Sequence, residues 1–190
     1  AKRFEILSNA GAITQDMTPL TGITTVAAAA GVATLTEAAI TTFSALANSS
    51  GLDLTLATDG TADNLTISVG VATAAAQSAV TGVLIDAIEI ETATISSVGA
   101  DTNTITDFEA DALKTLTIVG SKALEVTLND STAATAIALT TVNASAFTGS
   151  DLHVIADSAD SGVTLTTGSA ALTATLGEGA DNVTGTSGND

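Results

Sequence analysis

The chain has no cysteine, no tryptophan and no tyrosine, and only one proline, one histidine and four basic residues. Without cysteine there is neither a disulfide framework nor a thiolate metal site. Four phenylalanines and one methionine are the only other bulky, non-aliphatic side chains, so a core must be thin and regular rather than built around large rings. Four Lys and Arg against 21 Asp and Glu, a net charge of −17, exclude the phosphate-neutralising surface that nucleic-acid binding requires. An anionic membrane would repel such a chain. Long apolar runs are missing too: the stretch Val26 to Gly31 is mostly alanine and falls far short of the roughly 20 apolar residues of a membrane span, so no membrane insertion is expected. The segment Ala1-Lys2-Arg3-Phe4-Glu5-Ile6-Leu7 is not followed by an apolar stretch with a small-residue cleavage site, and no signal peptide is expected there. The one histidine, His153, lies between Leu152 and Val154 with no nucleophile-elbow glycines, no H-E-x-x-H and no cysteine to work with, so the chain is read as a non-enzyme.

What is present is Ala and Thr in short alternating runs. Leu52-Asp53-Leu54-Thr55-Leu56, Leu65-Thr66-Ile67-Ser68-Val69, Leu116-Thr117-Ile118 and Val163-Thr164-Leu165-Thr166 repeat with period 2, the mark of strands with one buried face. Corners are signalled by Asn48-Ser49-Ser50-Gly51, Asp59-Gly60, Gly99-Ala100-Asp101, Gly149-Ser150-Asp151 and Ser161-Gly162. A Thr-rich phrase recurs at Gly22-Ile23-Thr24-Thr25-Val26-Ala27, Ala39-Ile40-Thr41-Thr42-Phe43-Ser44, Leu113-Lys114-Thr115-Leu116-Thr117-Ile118 and Ala138-Leu139-Thr140-Thr141-Val142-Asn143, with copies roughly 17 and 26 residues apart within each pair, a spacing typical of solenoid rungs. These features predict an all-β chain folded as a right-handed parallel β-solenoid, with Val71 to Val80 as the best place for one short helix and Val26 to Leu46 as a weaker one, because alanine favours helix. Residues 1–175 form the solenoid segment. Thr102-Asn103-Thr104 and Thr164-Leu165-Thr166 have the pattern of ice-binding strands, but the sequence spacing does not keep such pieces in register, which argues against an ice-binding face.

Residues 176–190 read differently. Gly177, Gly179, Asp181 and Val183 occupy the second, fourth, sixth and eighth positions of the calcium-binding nonapeptide G-G-x-G-x-D-x-U-x. Leu176 replaces its first glycine. A second copy opens at Gly185, has Thr186 in place of a glycine, and breaks off at its sixth position, Asp190, from which a longer parent polypeptide is expected. Glycines there let the backbone turn its carbonyls inward while the aspartate adds a carboxylate, a donor set suited to calcium. Asp107, Glu109 and Asp111 alternate with Phe108 and Ala110, so on a strand they would project from one face about 6 to 7 Å apart, as a solvated acidic edge partly offset by Lys114 or as a second candidate calcium site. Asp59 to Asn64 and Asp157 to Gly162 are acidic corners that either cap turns or hold a cation.

Taken together, the Thr-rich phrases, the absent cysteine and the terminal nonapeptide resemble the RTX-type surface-layer proteins and large RTX adhesins of Gram-negative bacteria. The resemblance implies type I secretion, an extracellular cell-surface location, calcium-dependent folding, and a structural role in a self-assembling lattice or filament. Its expected partners are copies of the chain, through lateral or end-to-end solenoid contacts, and a cell-surface polysaccharide. An accessory calcium-binding segment of a secreted RTX enzyme and an adhesin stalk remain alternatives.

Overall fold

The computed structural model describes residues 2–6, 13–29, 31–71, 79–99, 101–132 and 136–185. Two parallel sheets are built from alternate strands of the chain. One, the odd sheet, contains β1 (Lys2–Ile6), β3 (Ile23–Ala28), β5 (Thr42–Ala45), β7 (Asn64–Val69), β9 (Thr92–Ser97), β11 (Thr115–Gly120), β13 (Thr141–Ala144), β15 (Thr164–Thr167) and β17 (Asn182–Thr184). The even sheet contains β2 (Ile13–Asp16), β4 (Val32–Ala38), β6 (Gly51–Leu56), β8 (Val83–Asp86), β10 (Asn103–Glu109), β12 (Leu124–Asn129), β14 (Asp151–Ala156) and β16 (Ala171–Leu176). The chain thus passes from one sheet to the other and back, laying each pair of strands on the pair before it, which is the parallel β-solenoid expected of the alternating pattern.

The core lies between the sheets. Parallel pairing stacks each inward residue on its counterpart, giving the column Val26, Phe43, Ile67, Ile95 and Ile118 in the odd sheet. All five are fully buried. Across from them the even sheet contributes Leu35, Leu54, Ile85, Ile105, Phe108 and Val126. Burying one such side chain contributes about 1.5 to 3 kcal/mol, so the ladder gains on every rung from the same few residue types. Three of the four phenylalanines, Phe43, Phe108 and Phe147, fill this space, and alanines such as Ala33, Ala93 and Ala110 are buried in the same core.

The Ala-rich stretch from Val26 to Leu46 is strand, not helix: it holds the end of β3, all of β4 and β5. The small intrinsic preference of alanine for helix is outweighed by ladder hydrogen bonds and by burial of Val26, Leu35 and Phe43. Of the Val71 to Val80 stretch, residues 72–78 lie outside the described residues. No helix occurs among the residues described.

Corners are sealed by buried polar side chains. The Asn103 amide accepts a hydrogen bond from the Val80 N–H at 2.9 Å and donates to the Val98 carbonyl at 2.9 Å, the Ser97 hydroxyl at 2.9 Å and the Val69 carbonyl at 3.3 Å. One side chain thereby satisfies backbone groups of two successive corners, between β7 and β8 and between β9 and β10. The Ser50 hydroxyl does similar work, its single proton shared between the carbonyls of Ala28 at 2.8 Å and Ala47 at 2.7 Å. By contrast, the Thr167 hydroxyl is buried without a hydrogen-bond partner. An Asn103→Ala variant is expected to lose about 3 kcal/mol of stability, since it strands several buried groups. Thr167→Val should gain about 1 kcal/mol by removing an unsatisfied hydroxyl. Urea unfolding followed by circular dichroism measures both, and equal or opposite effects would contradict this account of the corners.

Candidate functional site

Beyond β1, the charged residues that lie within strands are all on the even sheet. Asp53 on β6 pairs with Asp86 on β8, Asp86 with Glu109 on β10, and Glu109 with Asn129 on β12. Three carboxylates therefore stack as a rail with neighbours about 4.8 Å apart, the strand spacing. They line a shallow cleft of about 200 Å³ together with Leu84 and Asp107. Partial burial raises the pKa of Asp86 above its ordinary value, and the nearby charges of Asp53, Asp111, Asp107 and Glu89 push it the same way. Glu109 is raised first by desolvation and then by Asp86, Asp107, Asp111 and Asp130. Exposed Asp16 runs in the opposite direction, because Thr18 hydrogen-bonds its carboxylate.

Asp107 and Glu109 share the outer face of β10 on either side of buried Phe108, as expected, but Asp111 lies beyond the end of the strand, so the three do not form one row. The pairing of β10 shifts between Ile105 and Asp107 against β8 and between Ile105 and Phe108 against β12, a bulge at Thr106. Asp107 turns to the Asn129 amide, which donates to it at 2.6 Å. Asp111 lies past the end of β10 in a turn and accepts from the N–H and hydroxyl of Ser131. The row that exists runs across strands, through Asp53 and Asp86. No single-strand pattern in the sequence marks those two, because rungs differ in length and only pairing brings them together. Among the described residues, no three acidic or histidine side chains converge closely enough to hold a metal ion by themselves.

At the far end the nonapeptide turn stacks on the acidic corner before it. The Glu178 N–H donates to the Ala159 carbonyl at 2.9 Å, and the Val163 N–H donates to Asp181 Oδ1 at 2.8 Å. A Cβ at Gly177 would stand 2.1 Å from the Ala159 carbonyl oxygen, and one at Gly179, where φ is +104°, would stand 2.4 Å from the Gly162 nitrogen. Both glycines are needed for the two turns to touch. The carbonyls of Asp157 and Ala159 face Gly177, and Asp181 adds a carboxylate to the same turn, oxygen groups of the kind calcium accepts, but Ala159 already accepts from Glu178 and one oxygen of Asp181 from Val163. Asp190 and Thr186 lie outside the described residues. The corner from Asp59 to Asn64 is capped in a similar way: Asp63 accepts from the Gly60 N–H at 2.6 Å, and Glu91 accepts from the Asp63 N–H at 2.8 Å.

His153 sits on β14 between Glu125 of β12 and Thr173 of β16. Its Nδ1 is 3.8 Å from a Glu125 carboxylate oxygen, too long for a hydrogen bond, so the pair interacts electrostatically and only when the imidazole is protonated. A carboxylate, an imidazole and a hydroxyl thus lie in sequence on an open, half-exposed face, but the imidazole is not held as a base needs to be.

The outer face of the odd sheet is quite different. Thr42 pairs with Thr66, Thr66 with Thr94, Thr94 with Thr117, Thr117 with Asn143 and Asn143 with Thr166. Two residues earlier on each strand, Thr92, Thr115, Thr141 and Thr164 form a second in-register column. The expectation that Thr-x-Thr pieces fall out of register is therefore overturned for this sheet. The sequence hides the register because corners vary in length, from the short Thr25-to-Thr42 rung to the long Thr66-to-Thr94 one. Thr102-Asn103-Thr104 is not part of the array: Asn103 is buried in its corner and Thr104 pairs with Glu125 in the even sheet.

Comparison with protein-family models, curated proteins and solved structures finds no match.

The raised pKa values of Asp86 and Glu109 fix the sign of a pH effect. The native chain binds more protons than the unfolded chain, so this contribution to stability grows as pH falls from neutrality through the raised values and levels off below the ordinary values of 3.8 and 4.5. In calcium-free buffer, Asp86→Asn should raise the melting temperature at neutral pH, and its advantage over the parent chain should shrink toward about pH 4. A variant that is less stable than the parent across that range would show that the rail is not under repulsion.

Proposed function

We propose that this chain is a structural module of a secreted, calcium-dependent cell-surface layer, a rod-like building block that associates with its own copies into a lattice or filament. The observation that carries the reading is the in-register rail of Asp53, Asp86 and Glu109 on a chain of net charge −17. Stacking like charges on successive rungs costs stability unless a counter-ion relieves it, and hard divalent cations are suited to oxygen donors. Calcium at the rail, with Asp107 beside it, and at the turn formed by Gly177, Gly179 and Asp181 would supply that relief and stiffen the stack. Between copies it would also neutralise the repulsion that otherwise keeps such acidic molecules apart. The parallel stack further supports a scaffold role, since each rung contacts only its neighbours and a rod results.

Two measurements test this. Millimolar calcium should raise the stability of the chain by about 1 to 2 kcal/mol for sites with dissociation constants on the order of 10⁻⁴ M. Asp53→Asn combined with Asp86→Asn should cut that gain. In parallel, electron microscopy of concentrated protein should show ordered sheets or filaments in calcium that disperse in chelator. A melting temperature indifferent to calcium, or a monomer at every calcium concentration, would overturn the proposal.

A further inference from the structure

The odd sheet presents a second surface, unrelated to the rail, whose regularity calls for its own explanation. From β3 to β17 its outward positions carry no charged residue, although the chain holds 21 acidic ones and the even sheet places Asp16, Asp53, Asp86, Glu109 and Glu125 outward. Over the same eight strands no pairing shifts register, whereas the even sheet shifts between β4 and β6 and on both sides of β10. General strand preference for threonine does not account for this, because both sheets are parallel, stacked and half-solvated, and only one of them is neutral and unbroken.

We infer that this Thr-x-Thr face binds the surface of ice. One column, Thr25, Thr42, Thr66, Thr94, Thr117, Thr166 and Thr184 with Asn143 in place of one threonine, runs about 34 Å from β3 to β17 with a repeat of about 4.8 Å; the second, Thr92, Thr115, Thr141 and Thr164, lies about 6.6 Å to its side and spans β9 to β15. Both repeats lie close to oxygen spacings that recur on faces of hexagonal ice. Threonine suits such a ligand for a physical reason. Its β-branched side chain is stiff, so each hydroxyl is held in one place as donor and acceptor, while the methyl beside it leaves neighbouring water free to order against its own kind. A carboxylate or ammonium would instead impose its own hydration shell, and none is present. Thr66 and Thr164 are exposed, and Thr94, Thr117 and Thr166 are half-exposed.

Other occupants fit less well. A protein partner, including a second copy, is normally anchored by aromatic, Met or Arg side chains in a dry centre, and this face has none of them. Polysaccharides are commonly gripped by stacking on aromatic rings, yet Phe43, Phe108 and Phe147 are all buried in the core.

The test uses the whole 190-residue chain with Thr94→Tyr and Thr117→Tyr placed at the centre of the array, and Thr127→Tyr on the even sheet as a control. Tyrosine is well tolerated on solvated strand faces, and circular dichroism with thermal unfolding confirms that each variant folds. The parent chain and the Thr127→Tyr variant should partition into a slowly growing ice front and inhibit recrystallisation, and the two central variants should lose both properties. Exclusion of the parent chain from ice would overturn the inference. So would a folded central variant that still enters ice, or a parent chain that binds insoluble cellulose or chitin instead. A drop in oligomeric state caused by the central variants, without ice binding by the parent, would give the face to a second copy. None of these outcomes depends on calcium, so the surface-layer reading stands or falls separately.

Discussion

Everything in this solenoid depends on in-register parallel pairing, which places each outward or inward side chain about 4.8 Å from the residue at the same position of the next rung. Like is stacked on like, and the consequence depends on what is stacked. Isoleucine over phenylalanine over valine removes apolar surface from water at every step, and the column from Val26 to Ile118 is the result. Threonine over threonine is close to neutral and favours the strand. Carboxylate over carboxylate is unfavourable, by about 1 kcal/mol per adjacent pair even at the dielectric of water. One geometric rule thereby produces a core, a hydroxyl array and a strained rail from three residue classes.

The two sheets apply that rule unequally. The even sheet contains the register shifts at Leu35 to Ala38 and around Asp107, and Glu37 adopts a left-handed φ of 52° within the first of them. A bulge re-aims the side chains next to it and increases local twist. Asp107, next to the bulge, accepts from the Asn129 amide on the following strand, so irregularity and charge occur on the same sheet. The odd sheet has neither from β3 onward. Unshifted register and neutrality are properties of one face, and they are what a periodic ligand would need.

Much of the architecture was legible in the sequence. Period-2 alternation at Leu65 to Val69 or Val163 to Thr166 identifies strands because each buries one face, and the Gly, Ser and Asn clusters at residues 48–51 and 149–151 mark corners because they relax the backbone. Which residue of one rung meets which residue of the next was not legible. Pairing depends on corner length, and corners here lengthen and shorten without any periodic signal. Asp107, Glu109 and Asp111 read as a single-strand row because strand geometry was extended past Glu109, where β10 ends and a turn begins. Asp53 and Asp86 escaped notice because they are far apart in sequence and adjacent only in the sheet. The Thr array was hidden for the same reason, and alanine in Val26 to Leu46 raised a helix alternative that only pairing could exclude.

Variable corners are tolerable because their cost is met locally. Asn103, Ser97 and Ser50 tie corner carbonyls and N–H groups of neighbouring rungs inside the stack, so added corner residues need not disturb the ladder. Glu91 and Asp181 hold the entry to an odd strand by accepting a backbone N–H from the preceding rung. With corners sealed this way, the strands keep their register while the loops between them drift in length. Selection on such a molecule can then act on whole faces, since a face is a sum over rungs, whereas any one corner concerns only its neighbours. A neutral hydroxyl face and an acidic face on one thin rod are what that freedom permits: the shared core fixes the spacing of both, and each face differs only in what it stacks.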